Sequence, residues 1–571
     1  MLFNSIASFK GIDVYKYIFF TYIKNKEEAM KLKFLVILYS LFFSLTIFTF
    51  AGKVPKIDDL ISLKRAVEVA IWPDGKSIAY VVEVANWEKD QYDREIWLAQ
   101  KGKKPVALVS GQSSNYSLNW SPDGIFLFFL SNRTGKAQIY RISAEGGEEE
   151  CLTEVEQGVS SFRMSPTGEW LVLSIQDPES KAFKKRKDIF GDFEWVHEDF
   201  RMTHLWRLDL KSKRLERITN GNDFTVDSFS ISPDGKKIAF SARPVPSVIT
   251  GNDSDIYVVE TESGKEIKMV DLRGSDVNPL WSPDGKYVAF ETSGGKGKVY
   301  LNRPIAIVPA SGGSVKLVSH VFDANHTLIA WRSEGLYFSA WQKTERYLFR
   351  IQPDGSGLER VSGQHSWVLT RISIAQDAGK IAFIGENFDS FAEVYTSPLS
   401  AFNPVRLTNF DSQLDNFTLS QRELIRWKSK DGTEIDGILV KPADFSAKKK
   451  YPLLFVIHGG HASIDSQQKI SKRETRLYPI DRFVARGALV LMVNYRGSAG
   501  DGEKFCSLNV RNLGIGDEWD IESGIDYLVE LGYVDPDGVG TMGWSQGGFI
   551  SAFLGHPQPS FQGSIGRSRH L

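Results

Sequence analysis

The chain has 571 residues, more than one hydrophobic core usually holds, so two or more domains are expected. Its composition, 42% apolar and 24% charged, is that of an ordinary globular protein, and a formal net charge of −1 supplies no field to gather nucleic acid, which excludes that partner class. Cys151 and Cys506 are too few for a disulfide framework and lack the paired spacing of a metal site, so neither metal nor cofactor is expected.

The basic segment Met30-Lys31-Leu32-Lys33 leads into an uncharged run, Phe34 to Ala51, which has the form of an export signal, with cleavage expected after Ala51. The alternative is that residues 34–51, long enough to span a bilayer, remain as a membrane anchor. Membrane association follows only in that case; otherwise the protein is periplasmic or secreted. Met30 is a second candidate start, and residues 1–51 are set apart from the fold as an N-terminal extension plus signal.

From residue 56 to 420 one phrase recurs: WPDGKSIAY at Trp72, WSPDGIFLFF at Trp120, MSPTGEWLVL at Met164, ISPDGKKIAF at Ile231 and WSPDGKYVAF at Trp281. Weaker copies, WRSEGLYFSA at Trp331 and IAQDAGKIAF at Ile374, extend the series. The marker glycines, 75, 124, 168, 235, 285, 335 and 379, recur about every 51 residues, in the range of propeller blades. In each copy proline presets φ, aspartate bonds the backbone and glycine takes positive φ, which makes a tight turn. The β-formers after it predict a buried strand, and a seven-bladed β-propeller is expected. The longest interval, Gly168 to Gly235, carries an insertion whose Asp192, Glu194, Trp195, Glu198 and Asp199 either reach a substrate amine or form a solvated loop; Glu194 and Glu198 are the contact candidates.

Beyond residue 420 the repeat stops and strands alternate with helices. Trp427 to Pro442 predicts a hairpin turning at Asp431-Gly432. Leu453 to Ile457 is a short apolar strand ending in His458-Gly459-Gly460, and Ala488 to Val493 is another, ending in Asn494-Tyr495-Arg496-Gly497. Gly516 to Tyr533 predicts a helix with Trp519, Ile521, Ile525, Leu528 and Val529 on one face, and Val539 to Met542 a third strand. Glycine-rich loops at the C-terminal ends of successive strands predict an open, mostly parallel α/β sheet with its site on that edge.

That third strand runs into Gly543-Trp544-Ser545-Gln546-Gly547, followed by the helical FISAFL. Glycines two before and two after a serine permit the sharp strand-to-helix turn that lifts a nucleophilic hydroxyl above a sheet, so Ser545 is the predicted nucleophile. Backbone N–H groups of Gln546 and of Gly459 or Gly460 are the predicted oxyanion donors. His458 reads as a structural residue closing its loop, and Tyr495 either packs or lines the pocket.

With these residues in place the chain resembles the prolyl oligopeptidase family of serine peptidases, in its acylaminoacyl-peptidase and dipeptidyl-peptidase-like branch. The resemblance is carried by the SPDG repeats, His458-Gly459-Gly460, VNYRGSAGDGEKF (residues 493–505), the helix beginning Gly516-Asp517, GYVDPDGVG (532–540) and GWSQGG (543–548). It implies a propeller capping an α/β-hydrolase domain, residues 421–571, and hydrolysis of short peptides through an acyl-enzyme on Ser545. His461 departs from the proline usual in that branch after His-Gly-Gly.

The triad's carboxylate and histidine follow the serine in this fold, yet no Asp or Glu occurs after Ser545, and only His556 and His570 are available as bases. The expectation is a hydrolase domain truncated after the nucleophile, poorly soluble and lacking the downstream acid and base. The open readings are therefore a serine peptidase, a propeller binding module with an inert hydrolase remnant, and an esterase, with oligomeric state unassigned.

Overall fold

A computed structural model describes residues 52–191, 200–296, 300–376, 378–460, 462–470 and 478–555. The N-terminal run and insertion residues Glu194 and Glu198 lie outside them, as do His461, His556 and His570. Among the described residues no helix is long and apolar enough to cross a membrane.

Residues 65–406 form antiparallel sheets whose strands follow chain order. Four-stranded sheets cover 65–109, 115–151, 161–217, 225–270 and 276–317. Residues 326–406 form an eight-stranded sheet whose two halves join at the parallel pair Arg346 and Val368. The repeated phrase is the turn between the first and second strand of a sheet. At Gly124 the amide donates to Ser121 O at 2.8 Å, Asp123 Oδ1 accepts from Ile125 N at 3.0 Å, and φ is +69°. The same bonds recur at Ser232-Asp234 and Ser282-Asp284.

The turn glycines also knit the sheets together. A Cβ on Gly124 would lie 1.8 Å from the Trp72 ring of the preceding repeat, and one on Gly168 would lie 3.1 Å from Pro122. A Cβ on Gly75, in the first repeat, would lie 2.8 Å from Ala378 in the last. Ile71 N likewise donates to Ser373 Oγ at 3.1 Å, so the last sheet closes on the first. The strands after the turns are buried, as at Leu127 to Leu130 and Ile238 to Phe240, because each is flanked by strands on both sides and sheets on both faces. The long interval holds a surface helix, Lys181–Phe190, between strands Trp170–Gln176 and Thr203–Asp209.

The C-terminal sheet contains β1 (Gln421–Lys428), β2 (Glu434–Lys441), β3 (Tyr451–Ile457), β4 (Leu489–Asn494) and β5 (Val534–Gly543), in spatial order β1-β2-β4-β3-β5. The hairpin turns at Asp431-Gly432 as expected, with Gly432 at φ +83°. Among the described strands the sheet is mixed rather than mostly parallel: β2 runs antiparallel to β1 and β4, whereas β3 is parallel to β4 and β5. Helix α1 (Ile480–Ala485) covers one face through Ile480 and Val484, against Ile438, Val456 and Val490. After α2 (Gly502–Ser507), helices α3 (Gly516–Glu530) and α4 (Gln546–Leu554) cover the other face through Ile521, Leu528, Ile550 and Leu554, against Phe455, Leu491 and Val539. Burial of that apolar area stabilises each layer at about 25 cal/mol per Å².

The propeller grips the loop after β4. Lys343 N donates to Gly500 O at 2.8 Å, its ammonium pairs with Asp501, and Asp323 Oδ1 accepts from Glu503 N at 2.7 Å.

Candidate active site

The parallel registers align Ile457 with both Val493 and Gly543, so β3, β4 and β5 end together. Their next residues, His458-Gly459-Gly460, Tyr495-Arg496 and Trp544-Ser545, therefore share one edge. Ser545 sits at the N-terminus of α4 with φ +55° and ψ −120°, a conformation an L-residue adopts only when its surroundings impose it. It is exposed, as are Trp544 and Phe549 on either side.

The glycines make that turn possible by contact rather than by φ, since neither Gly543 nor Gly547 has a positive φ. A Cβ on Gly547 would meet Ile457 O at 2.1 Å, and one on Gly543 would meet the Gly547 carbonyl carbon at 2.3 Å. A Cβ on Gly459 would fall 2.5 Å from Trp544 O and 3.1 Å from Ser545 Cβ, so the β3 loop passes directly beside the serine. Gly460 then reverses the chain at φ +73°. Gly547 N donates back to Trp544 O at 3.0 Å, while Gln546 supplies one of the first-turn amides that have no acceptor within the helix. The side-chain Nε2 of Gln546 is buried beside this turn without a hydrogen-bond partner among the described residues.

His458 is buried, its Nε2 lies 2.9 Å from Ser498 Oγ, and its ring stacks on Tyr495 at 4.5 Å. Tyr495 donates its hydroxyl to His458 O at 3.0 Å and has no exposed surface. Of the two readings of Tyr495, the structure gives packing: the residue props the oxyanion loop from beneath and does not line the pocket. Ser498, which the sequence reading did not single out, locks the imidazole; only its place in the NYRGS run marked it.

Behind this layer Arg496 is buried and donates to Asp520 Oδ1 at 2.7 Å, to Asp431 Oδ2 at 3.0 Å and to Ser429 Oγ at 3.1 Å. The guanidinium holds the Asp431 carboxyl down at about 2, against the partial burial that opposes it. The backbone amide of Arg496 also donates to Asp520 Oδ2 at 2.8 Å, which fixes the β4 loop to α3. Asn494 completes the support, bonding Asp436 Oδ1 at 2.8 Å and Asp465 O at 3.0 Å. Periodicity predicted the apolar face of α3 but not the buried Asp517 and Asp520 on the same helix.

The structure thus brings together Ser545, Gln546, Gly459 and Gly460. No described histidine is hydrogen-bonded to Ser545: His458 is committed to Ser498. Among the described residues no group of acidic, histidine and cysteine side chains could hold a metal ion.

A sequence model of the prolyl oligopeptidase family matches residues 475–565. The chain is 26% identical over 541 residues to dipeptidyl-peptidase 5 of Porphyromonas gingivalis, covering 88% of this chain and 77% of that protein. It is similar in fold to the acylaminoacyl peptidase of Pyrococcus horikoshii, with a TM-score of 0.70 and 19% identity, over 87% of this chain and 76% of that one. The likeness is equal to an acylaminoacyl peptidase in complex with Z-Gly-Gly-Phe-chloromethyl ketone. A propeller joined to a hydrolase sheet is the architecture they share.

Proposed function

We propose, on the premise that this chain belongs to the prolyl oligopeptidase family, that it is a serine peptidase acting on short peptides through an acyl-enzyme at Ser545. The observation that carries this reading is the backbone of Ser545, held at φ +55° beside Gly459 with its side chain exposed at the strand edge. Such a turn costs about 1–3 kcal/mol, a strain found where a nucleophile is presented.

Attack of Ser545 Oγ on a peptide carbonyl places negative charge on the carbonyl oxygen. The amide of Gln546 and an amide from Gly459 or Gly460 stabilise that charge, each such donor contributing about 3 kcal/mol in comparable sites. The amine leaves with a proton, water attacks the ester, and the acid is released while Ser545 recovers its hydrogen. A peptide-derived inhibitor bound to a protein of the same fold supports the peptide as substrate. The five four-stranded sheets and the two halves of the eight-stranded one support a seven-bladed propeller over residues 56–420, with the hydrolase portion beginning at 421. We read residues 1–51 as an export segment and Glu194 and Glu198 as amine contacts for a free N-terminus.

We keep as a second reading a propeller binding module with an inert hydrolase remnant, and as a third an esterase. Hydrolysis of an acyl-peptide anilide, a free-amine dipeptide anilide and a simple ester separates these possibilities. Peptidase activity predicts release from an anilide that disappears in Ser545→Ala; ester cleavage alone would make the protein an esterase, and binding with no cleavage would leave the second reading. Glu194→Gln with Glu198→Gln is expected to impair only the free-amine substrate.

A further inference from the structure

Between the propeller and the loop that follows Gly460 lies a cavity of about 440 Å³. Its propeller wall includes Arg303, His326, Thr327, Ser339, Trp341 and Arg346, and its hydrolase wall includes Ala462. Among the described residues two arginines, Arg303 and Arg346, line it and no carboxylate does. Arg346 Nη2 donates to Thr327 Oγ1 at 3.0 Å and to Ser339 Oγ at 2.8 Å, both neutral, while its Nε is buried with no hydrogen-bond partner among the described residues. Burial and the nearby charge of Arg371 lower the basicity of this guanidinium, the mark of a cation short of compensation. The buried Glu291 carboxylate, whose charge reaches both arginines, already accepts from Leu328 N at 2.8 Å and Asn278 Nδ2 at 3.1 Å, and offsets the two arginines only in part.

His326 forms another part of the wall. It is 5% exposed, and apart from a loose approach to the Ala324 backbone its ring nitrogens have no partner among the described residues. Burial lowers its pKa to about 4, so at neutral pH it is an uncharged polar group facing a cationic cavity. Ala462 ties this space to the nucleophile: its amide donates to Gly497 O at 2.8 Å, and it stands three residues beyond Gly459. Three Cα steps span at most about 11 Å, the length of roughly three residues of extended peptide.

We propose that this cavity is a carboxylate pocket of the substrate site, in which Arg303 and Arg346 bind a peptide carboxylate about three residues from the bond presented to Ser545. This assignment rests on the reading of Ser545 as the peptidase nucleophile. The carboxylate is either the peptide C-terminus or an acidic side chain, since both offer the planar pair of oxygens that a guanidinium fork matches.

Calorimetric titration of the Ser545→Ala variant with short peptides tests the pocket without turnover. One peptide pair differs in a free or amidated C-terminus, the other in Glu or Gln near the terminus. The expected result is at least tenfold tighter binding of the charged member of one pair, and that pair identifies the source. Arg303→Gln and Arg346→Gln should each erase the preference while leaving the neutral peptide's affinity unchanged, and Arg346→Lys should retain part of it. Equal affinities within both pairs, no peptide binding, or arginine variants that weaken charged and neutral peptides alike would overturn the assignment. Fluorophosphonate labelling of the wild-type chain tests Ser545 separately. Labelling with no carboxylate preference removes only the pocket, and a preference without labelling removes the hydrolytic reading that places a scissile bond at its end.

Discussion

The hydroxyl of Tyr495 donates to the carbonyl oxygen of His458 at 3.0 Å while the two rings stack at 4.5 Å, so one buried side chain sets the height of the Gly459-Gly460 loop beside Ser545. Tyr495→Phe keeps the stack and removes the bond. It should lower stability by about 1 kcal/mol. It should also slow acylation several-fold with little change in KM, because it shifts an oxyanion donor rather than a binding contact. Stopped-flow acylation compared with urea unfolding checks both; unchanged acylation would mean that the loop keeps its position without this bond.

The Arg496 and Asp520 pair is buried on both sides, so removing one partner strands a charge in the interior. Asp520→Ala should therefore destabilise the fold by about 3–5 kcal/mol in denaturant titration. Replacing both, with Arg496→Met and Asp520→Leu, should recover much of that loss. If the double variant were no better than the single one, the pair would matter for its shape and not its charge.

Gly547→Ala places a methyl group where the Ile457 carbonyl oxygen already stands, 2.1 Å away, and backbone cannot yield as a flexible side chain can. Loss of active-site labelling with retention of the propeller's circular dichroism is expected. Ser545→Gly relieves the φ of +55° and should raise stability by about 1 kcal/mol while abolishing labelling. A glycine variant less stable than wild type would argue against strain at the turn.

Asp276 is almost fully buried in the propeller, and burial pushes its pKa up to about 7, with the Thr292 hydroxyl opposing and the Asp255 charge adding. The folded protein therefore holds a proton that the unfolded chain has released, and stability contributed by this group falls as pH rises from about 4 to 7, then levels. Asp276→Asn should remove that slope and stabilise the protein above pH 7 by on the order of 2–4 kcal/mol. Denaturant titrations at pH 5 and pH 8 for both proteins measure it; parallel wild-type and variant profiles would contradict the assignment.

How much of this was legible in the sequence depends on whether a residue acts through its neighbours in the chain. Gly124, Gly235 and Gly285 announced their turns because proline, aspartate and glycine act over four residues. The Gly543 to Gly547 elbow was readable for the same reason, with a strand and a helix flanking it. Tyr495 was ambiguous because burial depends on what packs above it, and the His458 carbonyl it supports is 37 residues away. Asp520 was invisible to periodicity, since a charged residue on a helix is assumed to face water until its partner, Arg496, is placed. The hairpin of β1 and β2 was legible from its Asp431-Gly432 turn, but the antiparallel pairing of β2 with β4 was not, because strand direction there is set by pairing across the sheet, which no short window contains.

The central claim is that the chain presents Ser545 as a nucleophile. Treating the full chain with a fluorophosphonate probe and locating the adduct by tandem mass spectrometry tests it directly. A single phosphonylated peptide carrying Ser545, absent in Ser545→Ala and strongly reduced in Gly547→Ala, is predicted. No adduct at Ser545 in folded protein, or equal labelling of Ser545 and other exposed serines, would contradict it.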